Sequence, residues 1–216
     1  MDFSALEQLV KSRRSIRKWK EQSVPDELLI KAIDLAIWAP NGGNYQGWHF
    51  VVVKNKSLIG TMGDAVQSVV NNIATWPEAS AFKDDIERSR RNASFFRNAP
   101  VCIGVFHRKY VSSADKVLLA REAVDQEARR ILAYRRTAPT AIQSAAAAVT
   151  TLLLALQQEE LGAVWLGAPL LAKDKLETLM NAPEDMSLVC LIAVGYPDEA
   201  PQQQRKPVSE VLKFIY

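Results

Sequence analysis

No charged side chain occurs between Arg136 and Glu159. The stretch is rich in alanine and leucine, and wound as a helix it is apolar nearly all the way round from 141 to 158. A helix of that kind has to be covered on most sides, so it belongs at the centre of a domain or in a large subunit interface. Pro139, Gln143, Ser144 and several threonines, with alanine in place of bulkier side chains, favour a buried helix over a membrane span. Gly162 is placed where a C-terminal glycine would end it.

The cover has to come from the remaining periodic segments. Apolar runs predict strands over 48–53, buried on both faces, and over 100–106, 163–166 and 187–195. Ser4-Ala5-Leu6-Glu7 has capping-box spacing and predicts a first helix to about Lys11. Ser23-Val24-Pro25-Asp26 opens a second helix that Pro40 stops. Further helices are expected over 58–73, up to about Tyr134, and over 173–180. The polar, charge-mixed residues 76–97 read as an exposed helix or a lid.

No repeat or linker divides the 216 residues, so the expectation is one domain over 1–200 with a C-terminal arm over 201–216. The arm begins too polar and proline-rich for a core. It ends in Val211, Leu212, Phe214 and Ile215, which need a surface such as a second subunit to bury against.

Twenty-seven basic against twenty-four acidic side chains leave a net charge of +3, too little for a general nucleic-acid field. A local cluster then points to a local ligand. In Arg13-Arg14-Ser15-Ile16-Arg17, guanidinium forks and a hydroxyl offer donors matched to a phosphate; read alone, the stretch is equally a solvated basic face. Residues 40–47 form an amide-rich loop able to meet a planar, polar-edged ligand, or simply a helix-to-strand connection. Gly167-Ala168-Pro169 follows a short strand where a ligand can approach bare backbone.

Cys102 and Cys190 sit in apolar runs without a partner, as expected of buried thiols in a reducing compartment. Met1-Asp2-Phe3-Ser4 lacks the pattern of a secretion signal, so the cytoplasm is the expected location. His49 and His107 lie apart, no Cys/His spacing suggests a metal, and no glycine-rich dinucleotide or P-loop motif occurs.

Taken together, these segments resemble the FMN-dependent nitroreductase family along nearly the whole chain. Residues 13–17 resemble its Arg-x-Ser-x-Arg/Lys element, and Pro40 to Phe50 its Pro-Ser-x-x-Asn-x-Gln-Pro-Trp-x-Phe loop. Residues 162–167, Gly195-Tyr196-Pro197 and Arg205-Lys206-Pro207 resemble its late glycine turn and arginine-proline ending. The resemblance implies an α+β fold, with a mixed central sheet flanked by helices, in an intertwined homodimer carrying two FMN sites at its interface.

On that resemblance Arg13, Ser15 and Arg205 hold the phosphate, Arg14 contributes its backbone, and Arg17 reaches the ribityl chain or the N1/O2 edge. Pro40, Asn41, Gly42 and Asn44 come from the other subunit, and the Leu166 and Gly167 amides face N5 and O4. Asn71 and Asn72 are alternatives for the pyrimidine edge. Asn41 and Gly42 replace the family's serines, Gly47 its proline, and Leu166 stands where some members carry an acid.

The implied activity is a ping-pong oxidoreductase. NADH or NADPH delivers hydride to FMN, and an electron-poor small molecule such as a nitroaromatic or quinone then takes the electrons. No side chain is needed as a nucleophile, and neither nucleic acid nor membrane is an expected partner. The alternatives are another flavin reaction on the same fold (reductive dehalogenation, flavin fragmentation or ring dehydrogenation) or a non-enzymatic anion-binding module.

Overall fold

Helix α7 (Thr140–Gln158) is the element against which the rest is laid. A computed structural model describes residues 2–216; Met1, part of the segment read as lacking a secretion signal, lies outside them. Strands β1 (Trp48–Val53), β2 (Val101–Arg108), β3 (Gly162–Leu166) and β4 (Met186–Gly195) form one sheet in the order β1-β2-β4-β3. Each neighbouring pair is antiparallel, and outside these strands an isolated parallel bridge joins Ser15 to Ala163. Around the sheet stand α1 (Phe3–Ser12), α2 (Asp26–Ala36), α3 (Lys56–Ile73), α4 (Lys83–Asn92), α5 (Ser113–Arg121), α6 (Gln126–Thr137) and α8 (Lys173–Leu179).

The period of two in β2 builds both cores. Val101, Ile103 and Val105 face Val149, Leu152 and Leu156 of α7 and Leu29 of α2. Cys102 and Phe106 face the opposite way, toward Ile59, Met62 and Val66 of α3 and Leu176 of α8. Burial pushes both cysteine thiols up to about 12, so neither is a ready nucleophile.

The stretch containing α6 and α7 has the length and apolarity of a membrane span, yet α7 packs one face on the sheet. Within this chain its cover is one-sided. Ser144, Ala148, Leu152 and Leu156 are buried, whereas Ile142 is 47% exposed. Thr150 and Thr151 donate their hydroxyls to the Ala146 and Ala147 carbonyls at 2.9 and 3.1 Å. Their polar groups are thereby satisfied within the helix, leaving a surface suited to a dry contact.

Several local expectations are corrected. The capping box does not form: the helix starts two residues earlier, at Phe3 with Asp2 in the cap position, Ser4 donates to the Asp2 carboxylate, and Glu7 pairs with Lys11. Gly162 does not end α7, because Glu160 takes the left-handed position (φ 60) and Leu161 N–H closes back on the Leu156 carbonyl at 2.9 Å. β1 is an edge strand with His49 exposed, so it is not buried on both faces. The helical segment ending near Tyr134 is two helices, since Asp125 interrupts it and caps the Glu127 and Ala128 amides. In residues 76–97 the exposed part is a 3-10 turn and α4, which has no buried residue, whereas the end of the segment enters the core through Ala93 and Phe96, the latter in a second 3-10 turn.

Within its own chain the arm is left largely uncovered, although Pro201 and Gln202 line a cleft with Arg14 and Ile16. From Gln202 to Tyr216 every residue is exposed, Phe214 at 65% and Ile215 at 88%.

Candidate cofactor site

The arginine stretch is held by its apolar neighbours. Ile16 and Trp19 are buried, and the Trp19 indole donates to the Gly162 carbonyl at 3.0 Å. Gly162 and Gly195 face each other across β3 and β4. A Cβ on Gly162 would come within 2.9 Å of Ile16, and one on Gly195 within 2.9 Å of Trp19. These glycines therefore let the segment cross the sheet edge, where Ile16 N–H bonds the Ala163 carbonyl at 3.1 Å.

Arg13 is half-buried and within electrostatic reach of Arg205 from the other end of the chain. Burial first, and then the guanidiniums of Arg205 and Arg14, pull the Arg13 pKa below its ordinary value. Among the described residues, none of Arg13, Arg14, Arg17 or Arg205 has a carboxylate ion-pair partner. Glu7 pairs with Lys11, Glu159 with Lys31 and Glu210 with Lys206, Glu199 accepts from the Arg17 and Lys18 amides, and Glu160 lines the cleft that Arg14 borders. Arg14 donates to the Lys11 carbonyl at 2.6 Å, Arg17 to that of Ser15 at 3.3 Å and Arg205 to that of Gln204 at 3.2 Å. Guanidiniums without an ion-pair partner offer hydrogen-bond donors suited to an anion such as a phosphate.

Arg14 departs from its neighbours. With Ile16, Gly162 and Pro197 it lines a separate cleft of about 600 Å³ that Arg13, Ser15 and Arg17 do not line.

β3 carries the seat toward bare backbone. Ala163 and Gly167 are four residues apart, roughly 13 Å along an extended strand. Leu166 is buried, while Gly167 is exposed and a Cβ there would meet nothing within 4 Å. Seat and open amide thus lie along one sheet edge, at a separation suited to a ligand with a phosphate at one end and a ring system at the other.

The amide-rich loop is elsewhere. Pro40 is exposed, Asn41 accepts from the Gln46 amide at 2.9 Å, and Gly42 and Asn44 lie in a 3-10 turn. Gly42 N–H donates to Ser144 Oγ at 3.2 Å, and a Cβ on Gly42 would sit 2.3 Å from Thr140 Cγ2. The loop is therefore pinned to the N-terminal turn of α7, while the arginine seat lies beyond its C-terminal end. Nineteen residues of helix place these ends roughly 28 Å apart. One chain cannot bring both groups to one small ligand.

Of the two asparagines, Asn71 already accepts from Gln67 and Arg90 at 3.1 and 3.2 Å. The anchors Tyr110, Thr140 and Ser144 were not singled out as loop contacts from the sequence. Nothing local marks them, because they meet the loop across about seventy to a hundred residues.

An α+β core with an antiparallel sheet edged by this arginine segment defines a nitroreductase-like fold. A profile described as "Nitroreductase family" matches residues 10–196, and the chain belongs to that family. It is 27% identical to the iodotyrosine deiodinase of Thermotoga neapolitana, over 94% of this chain and 94% of the relative. A BluB-like flavoprotein from Clostridium difficile 630 superposes with a TM-score of 0.85 at 29% identity, covering 100% of both chains. An iodotyrosine deiodinase solved bound to FMN and 3-iodo-L-tyrosine has a TM-score of 0.67 at 25% identity, covering 98% of this chain and 99% of that one.

Proposed function

We propose that this chain is an FMN-dependent oxidoreductase, active as a homodimer, that takes electrons from NADH or NADPH and passes them to an electron-poor small molecule such as a nitroaromatic or quinone. The observation that carries the reading is the arginine segment bonded to the β3 edge through Ile16, with bare backbone at Gly167 further along that strand, while the amide loop is pinned to the other end of α7. Arg13, Ser15 and Arg205 bind the phosphate, and Arg17 supplies positive charge at the N1/O2 edge. Leu166 and Gly167 present backbone toward N5 and O4, and Pro40, Asn41, Gly42 and Asn44 of a second copy close the site. FMN, when bound, supplies the two-electron chemistry, with hydride entering at N5.

The dimer is supported by surfaces that have no cover in one chain: the exposed arm, the outer side of α7, and Phe3, Leu6 and Val10 along α1. The buried free thiols suit the cytoplasm.

Likeness to two deiodinases favours a second reading, in which the same reduced site dehalogenates an aromatic substrate. One anaerobic experiment separates the two. Purified protein is expected to be yellow, to bleach with NADH or NADPH, and to regain its colour with a quinone or nitroaromatic. Recovery only with 3-iodotyrosine, with iodide released, selects dehalogenation, and a colourless protein that gains no flavin absorbance from added FMN sinks both.

A further inference from the structure

A cavity of about 240 Å³ opens between α5, α6 and the first turn of α7, outside the arginine seat. We infer that it is the pocket for the electron acceptor and that it takes a single-ring aromatic carboxylate. The inference rests on the proposed reading, in which the 41–44 loop borders the flavin of a second copy.

Its walls set the size and character of the guest. Val111, Leu119, Leu132 and Ala141 are apolar and line it. A dry apolar cavity of roughly 150 Å³ already accepts benzene, so about 240 Å³ leaves room for one ring and a small substituent.

The polar end offers cationic donors and no free carboxylate. Asp115 is buried, and its carboxylate is consumed by Arg135 Nε and Nη2 at 2.8 and 3.0 Å and by the Ser112 hydroxyl and amide at 2.7 and 3.0 Å. Arg136 is paired with Glu122 at 2.7 Å. What remains is the outer Nη1 of Arg135 and the Lys109 ammonium, neither with a hydrogen-bond partner among the described residues, together with the Tyr110 hydroxyl. A carboxylate satisfies such a set, whereas a cation or an amine would find only like charge.

The cavity and the loop share their walls. Tyr110 and Thr140 line the cavity, and the same side chains pack on Gly42 and Gly43, with the Tyr110 hydroxyl 2.8 Å from where a Gly43 Cβ would stand. Tyr45 packs against Tyr110 in a tilted arrangement, with ring centroids 5.3 Å apart. A guest held here would therefore lie against the loop that borders the flavin.

The test uses the full chain with its flavin. Calorimetric titration compares benzoate with benzamide, and steady-state turnover compares 4-nitrobenzoate with 4-nitrobenzamide. Benzoate should bind at least about tenfold tighter than benzamide, as expected of one charge-assisted contact, with the same order in KM. Lys109→Ala, at an exposed position, should remove most of that preference and leave benzamide unchanged. Leu119→Trp, which fills the cavity from a partly exposed position on α5, should abolish binding of both while flavin content stays at the wild-type level. Equal binding of benzoate and benzamide, or undiminished benzoate binding by Leu119→Trp, overturns the pocket. Absence of flavin from the wild type instead fails the underlying reading, and calorimetry reports on the cavity in either case.

Discussion

Arg13→Ala is expected to weaken FMN binding by about 10- to 100-fold, and Arg205→Ala by a similar factor. A hydrogen bond to a charged group contributes about 1.5–3 kcal/mol, and each 1.4 kcal/mol is a factor of ten. The flavin-free protein should respond in the opposite direction. Arg13 lies half-buried beside like charges with no acid to balance it, so its removal relieves repulsion and should leave the apo melting temperature unchanged or slightly raised. Fluorescence titration of FMN and apo melting curves check both halves. A structural arginine would give the reverse pattern, with a lower apo stability and little change in affinity.

Deleting residues 201–216 should have the larger effect. It removes Arg205 from the seat and also the Val208, Val211, Leu212, Phe214 and Ile215 side chains, all at least half exposed in the single chain. Apolar groups left so open contribute only when something covers them, at about 25 cal/mol per Å² removed from water. If a second copy provides that cover, the truncated protein should sediment as a monomer and purify without flavin. Arg205→Ala alone should lose affinity and remain dimeric. A truncated protein that stays dimeric and yellow would remove the arm from the account.

The contrast between these variants follows the limits of what the sequence made legible. Local periodicity was enough for the strands, for α7 and for most helix ends, because apolar spacing reports which face is buried. Arg13 and Ser15 could be recognised as a cluster, and Arg205 through the family resemblance, but their approach depends on a fold that joins positions about 190 residues apart. Gly162 was read as a helix terminator, whereas its bare backbone makes room for Ile16. Glu160 took the turn in its place, and no local rule favours a glutamate there. The anchoring of Gly42 by Thr140 and Ser144, and the consumption of Asp115 by Arg135, are likewise contacts between segments. Their residues look ordinary in sequence because each is specified by the shape of what it meets.

On the proposed reading, the separation of seat and loop along α7 means that each flavin is shared between two chains, and mixed dimers test this most directly. Arg13→Ala spoils the seat, and Gly42→Val spoils the loop, since its side chain would collide with Thr140. Each variant alone should bind FMN poorly at both sites. In a dimer containing one copy of each, one site receives both defects and the other receives neither. Co-expressed and purified mixed dimers should therefore bind about one FMN per dimer at wild-type affinity. If the seat and loop of a single chain served the same flavin, every site would keep one defect, and the mixed dimer would show no recovered binding.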